Sequence, residues 1–290
     1  MLVRIWGCRG SLASPGASKV RYGGDTSCVE VRLDDGTLIV LDAGTGIREF
    51  GVHLDGGLQE VHLLLTHLHI DHVEGLPFFP SLWNPDVDVH VWGPPSPVMT
   101  LRERIARYMS PPLFPIDIHD VPGACIFHDL PTDPWTIGTA TLTALSIEHP
   151  GPTVGYRLEA DGASMAYMPD HEPAILGNLM EESPEWIDGF AIAREVDVLM
   201  HDSQYTPEEY EARRGWGHSS YVDAIAYAHA TGAKQLIMFH HDPTHNDTTL
   251  EAMEHEAASL WVGTGPDPRL AAAGMTLHLT AAPVRHAASE

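Results

Sequence analysis

The chain is poor in basic residues. It has 16 lysines and arginines against 40 aspartates and glutamates, which gives a formal net charge of −24. Proteins bind nucleic acids by neutralising many phosphates with basic side chains, so this charge disfavours tRNA or duplex DNA as a substrate. Bound metal ions can outweigh the overall charge locally, so a small anion stays compatible with it. We therefore expect a small, anionic substrate and no stable nucleic-acid partner.

Long apolar runs and paired cysteines are also missing. No stretch reaches the roughly 18 apolar residues of a membrane span. The first residues, 1–7, have the pattern of a strand and lack the features of a signal peptide. Cys8, Cys28 and Cys125 show no C-x-x-C spacing, which favours buried, reduced thiols over disulfides or a zinc knuckle. These features predict a cytoplasmic protein without a membrane partner.

The 290 residues contain no internal repeat and no low-complexity linker. Their length and 43% hydrophobic content suit one large domain, 1–280, followed by an alanine-rich tail, 281–290, that we expect to be flexible. Runs rich in Val, Ile and Leu predict strands at 2–6, 29–33, 38–41, 61–65, 140–147, 153–159, 165–168, 198–201 and 236–239. Helices are predicted at 100–108, 207–213, 220–230 and 248–261. This order favours a layered α/β architecture.

The middle of the chain, 76–136, is rich in proline, and one helix is all that its pattern predicts there. Long excursions of this kind in compact domains are usually functional or lie at interfaces. Two interpretations stay open for this segment, with Trp83, Pro111 and Phe114 as its prominent residues. It could form the contact of a homodimer, or it could line the substrate pocket.

A metal-ligand pattern follows the apolar run 61–65. The sequence Thr66-His67-Leu68-His69-Ile70-Asp71-His72 offers four ligands within six residues. Histidines two positions apart can converge on one cation from a loop at a strand end, and Asp71 and His72 can face a second cation. Imidazole suits zinc and neighbouring transition metals, and a carboxylate adds a harder oxygen ligand that can bridge.

This run resembles the signature of the metallo-β-lactamase superfamily. Later segments resemble the ribonuclease Z and cyclic-nucleotide phosphodiesterase branch of that superfamily; they lie at 148–157, 167–170, 196–202, 217–220 and 236–240. The resemblance implies an α/β fold in which four layers form an αββα sandwich, with two metal ions at one edge of the two sheets. Zinc is the expected metal, and manganese or iron are alternatives.

The resemblance also implies how the ligands divide between the two ions. His67, His69 and His149 would hold one ion, while Asp71, His72 and His240 would hold the other. Asp170 would bridge them. His149 could instead simply end a strand, and Asp170 could be a turn residue. His241 follows His240, but side chains alternate along a strand, so one of the pair is expected to bind metal.

Three further residues are candidates outside this ligand set. His218 lies in a glycine-flanked turn before a predicted helix, where it could donate a proton or stabilise an oxyanion; the alternative is an ordinary turn histidine. Asp42, after an apolar strand, is expected to orient a ligand or stabilise its loop. His171 is interpreted either as a substrate contact or as a surface side chain.

The predicted function is hydrolysis by two metal ions, with Asp71 and His218 as catalytic residues. A hydroxide bridging the metals would attack a small phosphodiester such as a cyclic nucleotide. The chain has no G-x-S-x-G motif, so no nucleophilic serine of that type is predicted. The alternatives are an ester, thioester or lactone hydrolase using the same site, and a metal-binding signalling module without turnover.

Overall fold

A computed structural model of the chain describes residues 1–54, 56–176, 179, 183, 186–263 and 265–280. The tail predicted to be flexible, 281–290, lies outside these residues. The first sheet contains β1 (Leu2–Gly7), β2 (Cys28–Arg32), β3 (Leu38–Leu41), β4 (Glu60–Leu64), β5 (Asp88–Gly93), β6 (Ala124–Asp129) and β14 (Thr276–His278). The second contains β7 (Trp135–Ile137), β8 (Ala140–Ser146), β9 (Val154–Ala160), β10 (Ala163–Met168), β11 (Val198–Asp202), β12 (Leu236–Phe239) and β13 (Arg269–Leu270).

The helices are α1 (Gly46–Val52), α2 (Ile70–Val73), α3 (Leu101–Ala106), α4 (Phe190–Ala193), α5 (Pro207–Arg213), α6 (Tyr221–Thr231) and α7 (Asp247–Leu260). Short 3-10 helices occur at Leu76–Phe78, Pro80–Trp83, Ile118–Asp120 and Pro173–Leu176. Among the helices in the described ranges, none combines the length and the apolar content needed to cross a bilayer.

The two sheets have matching topologies. The first runs β14-β1-β2-β3-β4-β5-β6 and the second β13-β12-β11-β10-β9-β8-β7. In the first, β3, β4, β5 and β6 are parallel neighbours; in the second, β10, β11, β12 and β13 are parallel neighbours. The carboxyl ends of parallel strands lie at one edge of a sheet, so side chains that follow these strands are brought together.

Alternating side chains place a core on each face of both sheets. Along β10, Met165 and Tyr167 pack into the core between the sheets, whereas Ala166 and Met168 pack into the core under α6 and α7. A third core lies between the first sheet and the helices α1 and α3. Helices therefore cover the outer face of each sheet, and the predicted αββα sandwich is confirmed.

The proline-rich middle differs from its prediction. It contains β5, β6 and the start of the second sheet in addition to the predicted helix, which is α3. β5 alternates exposed or half-buried residues with buried valines, a pattern that the surrounding prolines and turns obscure in the sequence. Elsewhere β3, β12 and α5 have the predicted bounds, and the other predicted elements are displaced by one or two residues at an end.

Candidate metal centre

The seven predicted ligands lie together at the edge where the parallel strands end. His67, His69, Asp71 and His72 follow β4, with the last two in the first turn of α2. Asp170 follows β10, and His240 follows β12. His149 lies in the turn between β8 and β9. The fold therefore brings together residues that are up to 173 positions apart in sequence (67 to 240).

The first group of ligand atoms comes from three histidines. Atoms of His67, His69 and His149 all lie within 4.8 Å of one another. His149 Nε2 is 3.1 Å from His69 Nδ1. Two nitrogens bound to one tetrahedral zinc at about 2.0–2.1 Å are about 3.3 Å apart, so the observed spacing fits a shared cation.

The second group contains Asp71, His72, Asp170 and His240, again with ligand atoms within 4.8 Å of one another. His72 Nε2 is 3.0 Å from Asp170 Oδ1, and His240 Nε2 is 3.3 Å from the same oxygen. The other oxygen, Asp170 Oδ2, is 3.8 Å from the Nε2 atoms of His67 and His149. Asp170 thus presents one oxygen to each group, the arrangement expected of a bridging ligand.

Hydrogen bonds fix which nitrogen these rings present to the centre. The backbone oxygen of Gly217 accepts from His149 Nδ1 at 2.7 Å, so that nitrogen carries the proton. His72 Nδ1 is 2.8 Å from Asp42 Oδ2, and His240 Nδ1 is 3.0 Å from Gln204 Oε1. Each ring therefore directs Nε2 towards the centre, which is how an outer hydrogen bond orients a metal-binding histidine.

Several buried atoms at the centre lack a partner that a cation would supply. His67 Nε2, His72 Nε2 and Asp170 Oδ1 are buried and make no hydrogen bond to the described residues. A lone pair on a ring nitrogen facing a carboxylate oxygen at about 3 Å is unfavourable unless a positive charge lies between them. The donor set therefore fits divalent metal ions with mixed nitrogen and oxygen ligands.

The pKa values of His67, His149 and Asp170 fit the same interpretation. Burial lowers the pKa of His149 to about 4 and that of His67 well below its ordinary value, so these rings are neutral, the form in which imidazole binds a metal ion. Burial opposes ionisation of Asp170, but the neighbouring histidines hold its pKa well below the ordinary value. One group thus offers neutral nitrogens, and the other includes buried carboxylates that attract cations.

Asp42 contacts both ends of the segment 66–72, which we call the ligand loop. Its carboxylate is fully buried and accepts hydrogen bonds from the N–H of Thr66 at 2.8 Å and the hydroxyl of Tyr167 at 3.0 Å, besides its contact with His72. Its φ of +61° is a left-handed conformation that is costly for a residue other than glycine. The strained aspartate therefore orients His72 from outside the ligand set, the position expected for it from the sequence.

His218 borders both groups without belonging to either ligand set predicted from the sequence. Its Nδ1 is 2.7 Å from Asp202 Oδ2, and its ring lies parallel to that of His240 with centroids 4.9 Å apart. Burial alone would lower the pKa of His218, but the charges of Asp202, Asp170 and Asp71 raise it to about 9. The side chain is 11% exposed, so it can reach a bound molecule.

The loop that carries His218 is held by a second buried carboxylate. The N–H groups of Gly215 and Gly217 donate to Glu172 at 2.7 and 2.6 Å. Gly217 has a φ of +88°, and a Cβ there would lie 2.4 Å from His149 Nδ1, so only glycine fits between the loop and that ring. The predicted ligand His149 and the predicted catalytic His218 are therefore fixed by the same turn.

His171 corrects a sequence prediction. It is fully buried, so it is neither a substrate contact nor a surface residue. Its ring nitrogens are 2.9 Å from His201 Nε2 and 2.9 Å from Asp188 Oδ2. His241, by contrast, donates from Nε2 to the oxygen of Ala271 and lies outside both groups, so the structure places His240 at the centre.

Three residues near the centre were not assigned a role from the sequence: Asp202, Gln204 and Glu172. Asp202 could have been noticed, because it ends an apolar strand just as Asp170 follows one. Gln204 and Glu172 carry no such signal. Their contacts depend on turns that bring 204 next to 240 and 172 next to 217.

Comparisons with known proteins agree with this geometry. A family model described as the beta-lactamase superfamily domain matches residues 37–241. Ribonuclease Z of Myxococcus xanthus is 22% identical over 250 residues, which cover 72% of this chain and 79% of that protein.

Two solved structures share the fold at low sequence identity. The metallo-beta-lactamase fold protein YhfI of Bacillus subtilis superposes with a TM-score of 0.68 at 17% identity, covering 96% of this chain and 99% of that one. A diphosphatase from the PhnP family gives a TM-score of 0.67 at 17% identity, covering 96% and 97%.

Proposed function

The chain belongs to the metallo-β-lactamase superfamily of hydrolases, and on this premise we propose that it is a dinuclear metal-dependent phosphodiesterase for small substrates such as a cyclic nucleotide. The observation that carries the proposal is the pair of ligand groups on either side of Asp170, with His218 next to both. A site that holds two cations beside a protonated imidazole suits the cleavage of an anionic ester with a poor leaving group.

The residues that would hold the metals are those of the two groups. His67, His69 and His149 would bind one ion, and Asp71, His72 and His240 the other, with Asp170 between them. When bound, two divalent ions would make a water molecule nucleophilic near neutral pH and would neutralise the phosphate oxygens. Zinc is the metal we propose, because imidazole is the prevailing ligand; manganese or iron would also suit the set.

We assign His218 to the leaving group. Asp202 holds its Nδ1, so Nε2 is the nitrogen that would give a proton to the departing alkoxide. A pKa of about 9 keeps the ring protonated at neutral pH in the absence of other cations, and metal ions nearby would lower it towards neutrality. A proton donor whose pKa lies near the working pH is the most effective kind.

Two lines of support favour a small phosphate ester. The relatives include a ribonuclease and a diphosphatase, which both act on phosphate groups. The net charge of −24 opposes long polyanions, whereas the local charge of two bound metal ions would attract a small anion. The partner that we propose is therefore a small anionic molecule; a homodimer stays a prediction.

A substrate panel tests the proposal. Purified, metal-loaded protein is assayed with bis-p-nitrophenyl phosphate and cyclic nucleotides, and in parallel with a lactone, a thioester and p-nitrophenyl acetate. We expect turnover of the phosphodiesters that Asp170→Asn abolishes. If only the neutral esters are hydrolysed, the protein is an ester hydrolase and the phosphodiesterase proposal is wrong. If no substrate is turned over although both metals are bound, a metal-binding module is favoured.

A further inference from the structure

An apolar cavity of about 380 Å³ lies beside the metal centre, and its wall is continuous with the ligand loop. We call it the side pocket; its apolar lining is formed by Leu68, Ile70, Val73, Ile105, Tyr108 and Leu113. Leu68 and Ile70 flank His69, the most exposed ligand, and Val73 follows His72. The side pocket therefore borders the stretch of chain that carries His69, with a lining residue on either side of it.

The far wall of the side pocket is firmly held. Ile105 is 3% exposed in the core of the first sheet, and the hydroxyl of Tyr108 donates to the backbone oxygen of Glu74 at 2.8 Å. The mouth is different, because Ile70 and Leu113 are 49% and 70% exposed. A preformed cavity of this size with exposed apolar residues at its mouth is typical of a ligand subsite.

Positive charge at the rim indicates what kind of ligand enters. Three of the 16 basic residues lie within 102–107, and two of them, Arg104 and Arg107, line the side pocket. The guanidinium of Arg104 already has a partner within the protein, since it donates to the backbone oxygen of Pro94. Arg107 is exposed, and its guanidinium makes no hydrogen bond or ion pair with the described part of the chain. In so acidic a protein, a free arginine beside an apolar cavity suits an anion that carries an apolar group.

We propose that the side pocket binds a ring-sized apolar group of the substrate while Arg107 contacts its anionic part. The preferred substrates are then phosphate esters that carry an aromatic or heteroaromatic group, and simple alkyl phosphates are poor ones. This inference rests on the proposed function for its choice of phosphate, although the cavity and its rim charge are independent of turnover.

Binding rather than turnover provides the test. Dissociation constants of phenyl phosphate and methyl phosphate are measured by calorimetry on metal-loaded protein. We expect phenyl phosphate to bind about tenfold or more tightly, because its ring leaves water for an apolar cavity. Equal affinities of the two ligands for the wild-type protein would overturn the proposal.

Two pairs of variants locate the effect. Leu113→Ser should reduce the preference for the phenyl group severalfold. Val98 lies in the same proline-rich segment, 76–136, and is 84% exposed, and Val98→Ser should leave the preference unchanged. Arg107→Gln should weaken both ligands about three- to tenfold, whereas Arg48→Gln, an exposed arginine of α1, should weaken neither. Variants of the side pocket that behave like their controls would refute the assignment.

The outcomes separate this inference from the proposed function. A phenyl preference without hydrolysis of any diester supports the side pocket and contradicts the phosphodiesterase. Hydrolysis of diesters without a preference for the phenyl group supports the phosphodiesterase and contradicts the side pocket. Dissociation of a dimer by Leu113→Ser, with both affinities unchanged, would assign the cavity to a second copy of the chain and overturn the proposal.

Discussion

Replacing Asp202 by asparagine should change the pH dependence of kcat more than it changes the maximal value of kcat. Asp202 is the nearest of the carboxylates that raise the pKa of His218 from 6.5 to about 9, and asparagine keeps its shape without its charge. If His218 must be protonated, activity falls as pH rises through its pKa. If loss of the Asp202 charge returned the pKa from about 9 to the ordinary 6.5, the protonated fraction without bound cations would drop at pH 8 from about 0.9 to about 0.03, whereas at pH 6 it would drop only to about 0.8.

The expected loss from Asp202→Asn is therefore about 30-fold one pH unit below the pKa of His218 in the wild-type protein, and the loss should shrink as the pH is lowered further. Bound cations lower the pKa of His218 in both proteins, so they move both profiles to lower pH but preserve the separation between them. The assay is kcat from pH 5.5 to 9.5 on a diester with an alkoxide leaving group, with metal content measured on the same samples.

Asp197→Asn is the matched control for this prediction. Asp197 immediately precedes β11, at the opposite end of the strand from Asp202, and bonds Ser164 and Lys234 on the surface. Its replacement should leave the profile unchanged. A loss in Asp202→Asn that is equal at every pH, or the release of a metal, would show that Asp202 does not act through the charge of His218 and would refute the reasoning.

Three other changes test the centre. Wild-type protein should contain about two metal equivalents, and Asp170→Ala should lose metal as well as activity because its carboxylate faces both groups; two retained metals in this variant would contradict the bridge. His218→Ala should keep both metals and lose roughly 10²–10⁴ in kcat, less for p-nitrophenolate than for an alkoxide leaving group; metal loss would make His218 a ligand. Gln204→Ala removes the acceptor that orients His240, so metal affinity measured by chelator competition should fall about 10–100-fold, and an unchanged affinity would remove Gln204 from the centre.

The sequence by itself determined the elements whose patterns are local. The apolar runs that became β3 and β12 and the capped helix α5 were predicted with their observed bounds. The run 66–72 was identified from its own spacing, since its four ligands lie within six residues of one loop. Such elements can be predicted from the sequence because neighbouring residues belong to one element and follow one periodicity.

Resemblance to a family supplied the rest of the ligand set. His149, Asp170 and His240 have no local feature that distinguishes them from turn residues, and the order of the family motifs singled them out. The fold class that the same resemblance implied is confirmed by the two covered sheets. The structure brings all seven residues together, and their roles as metal ligands stay predictions.

The tertiary structure alone decided which groups surround the ligands. Gln204 contacts His240, and Glu172 fixes the turn beside His149, across 36 and 45 positions of sequence. Burial of His171 was also invisible, because a polar residue in a turn gives no sign that a helix and a strand will cover it.

The sequence also did not predict β5 and β6 in the proline-rich middle. Nor did it reveal the side pocket, of which α3 forms one wall. Pairing of a strand depends on its neighbours in the sheet, and a cavity depends on how separate elements pack. The sequence therefore determined the chemistry available at the edge of the sheets, and only the packing of distant segments decided its geometry and surroundings.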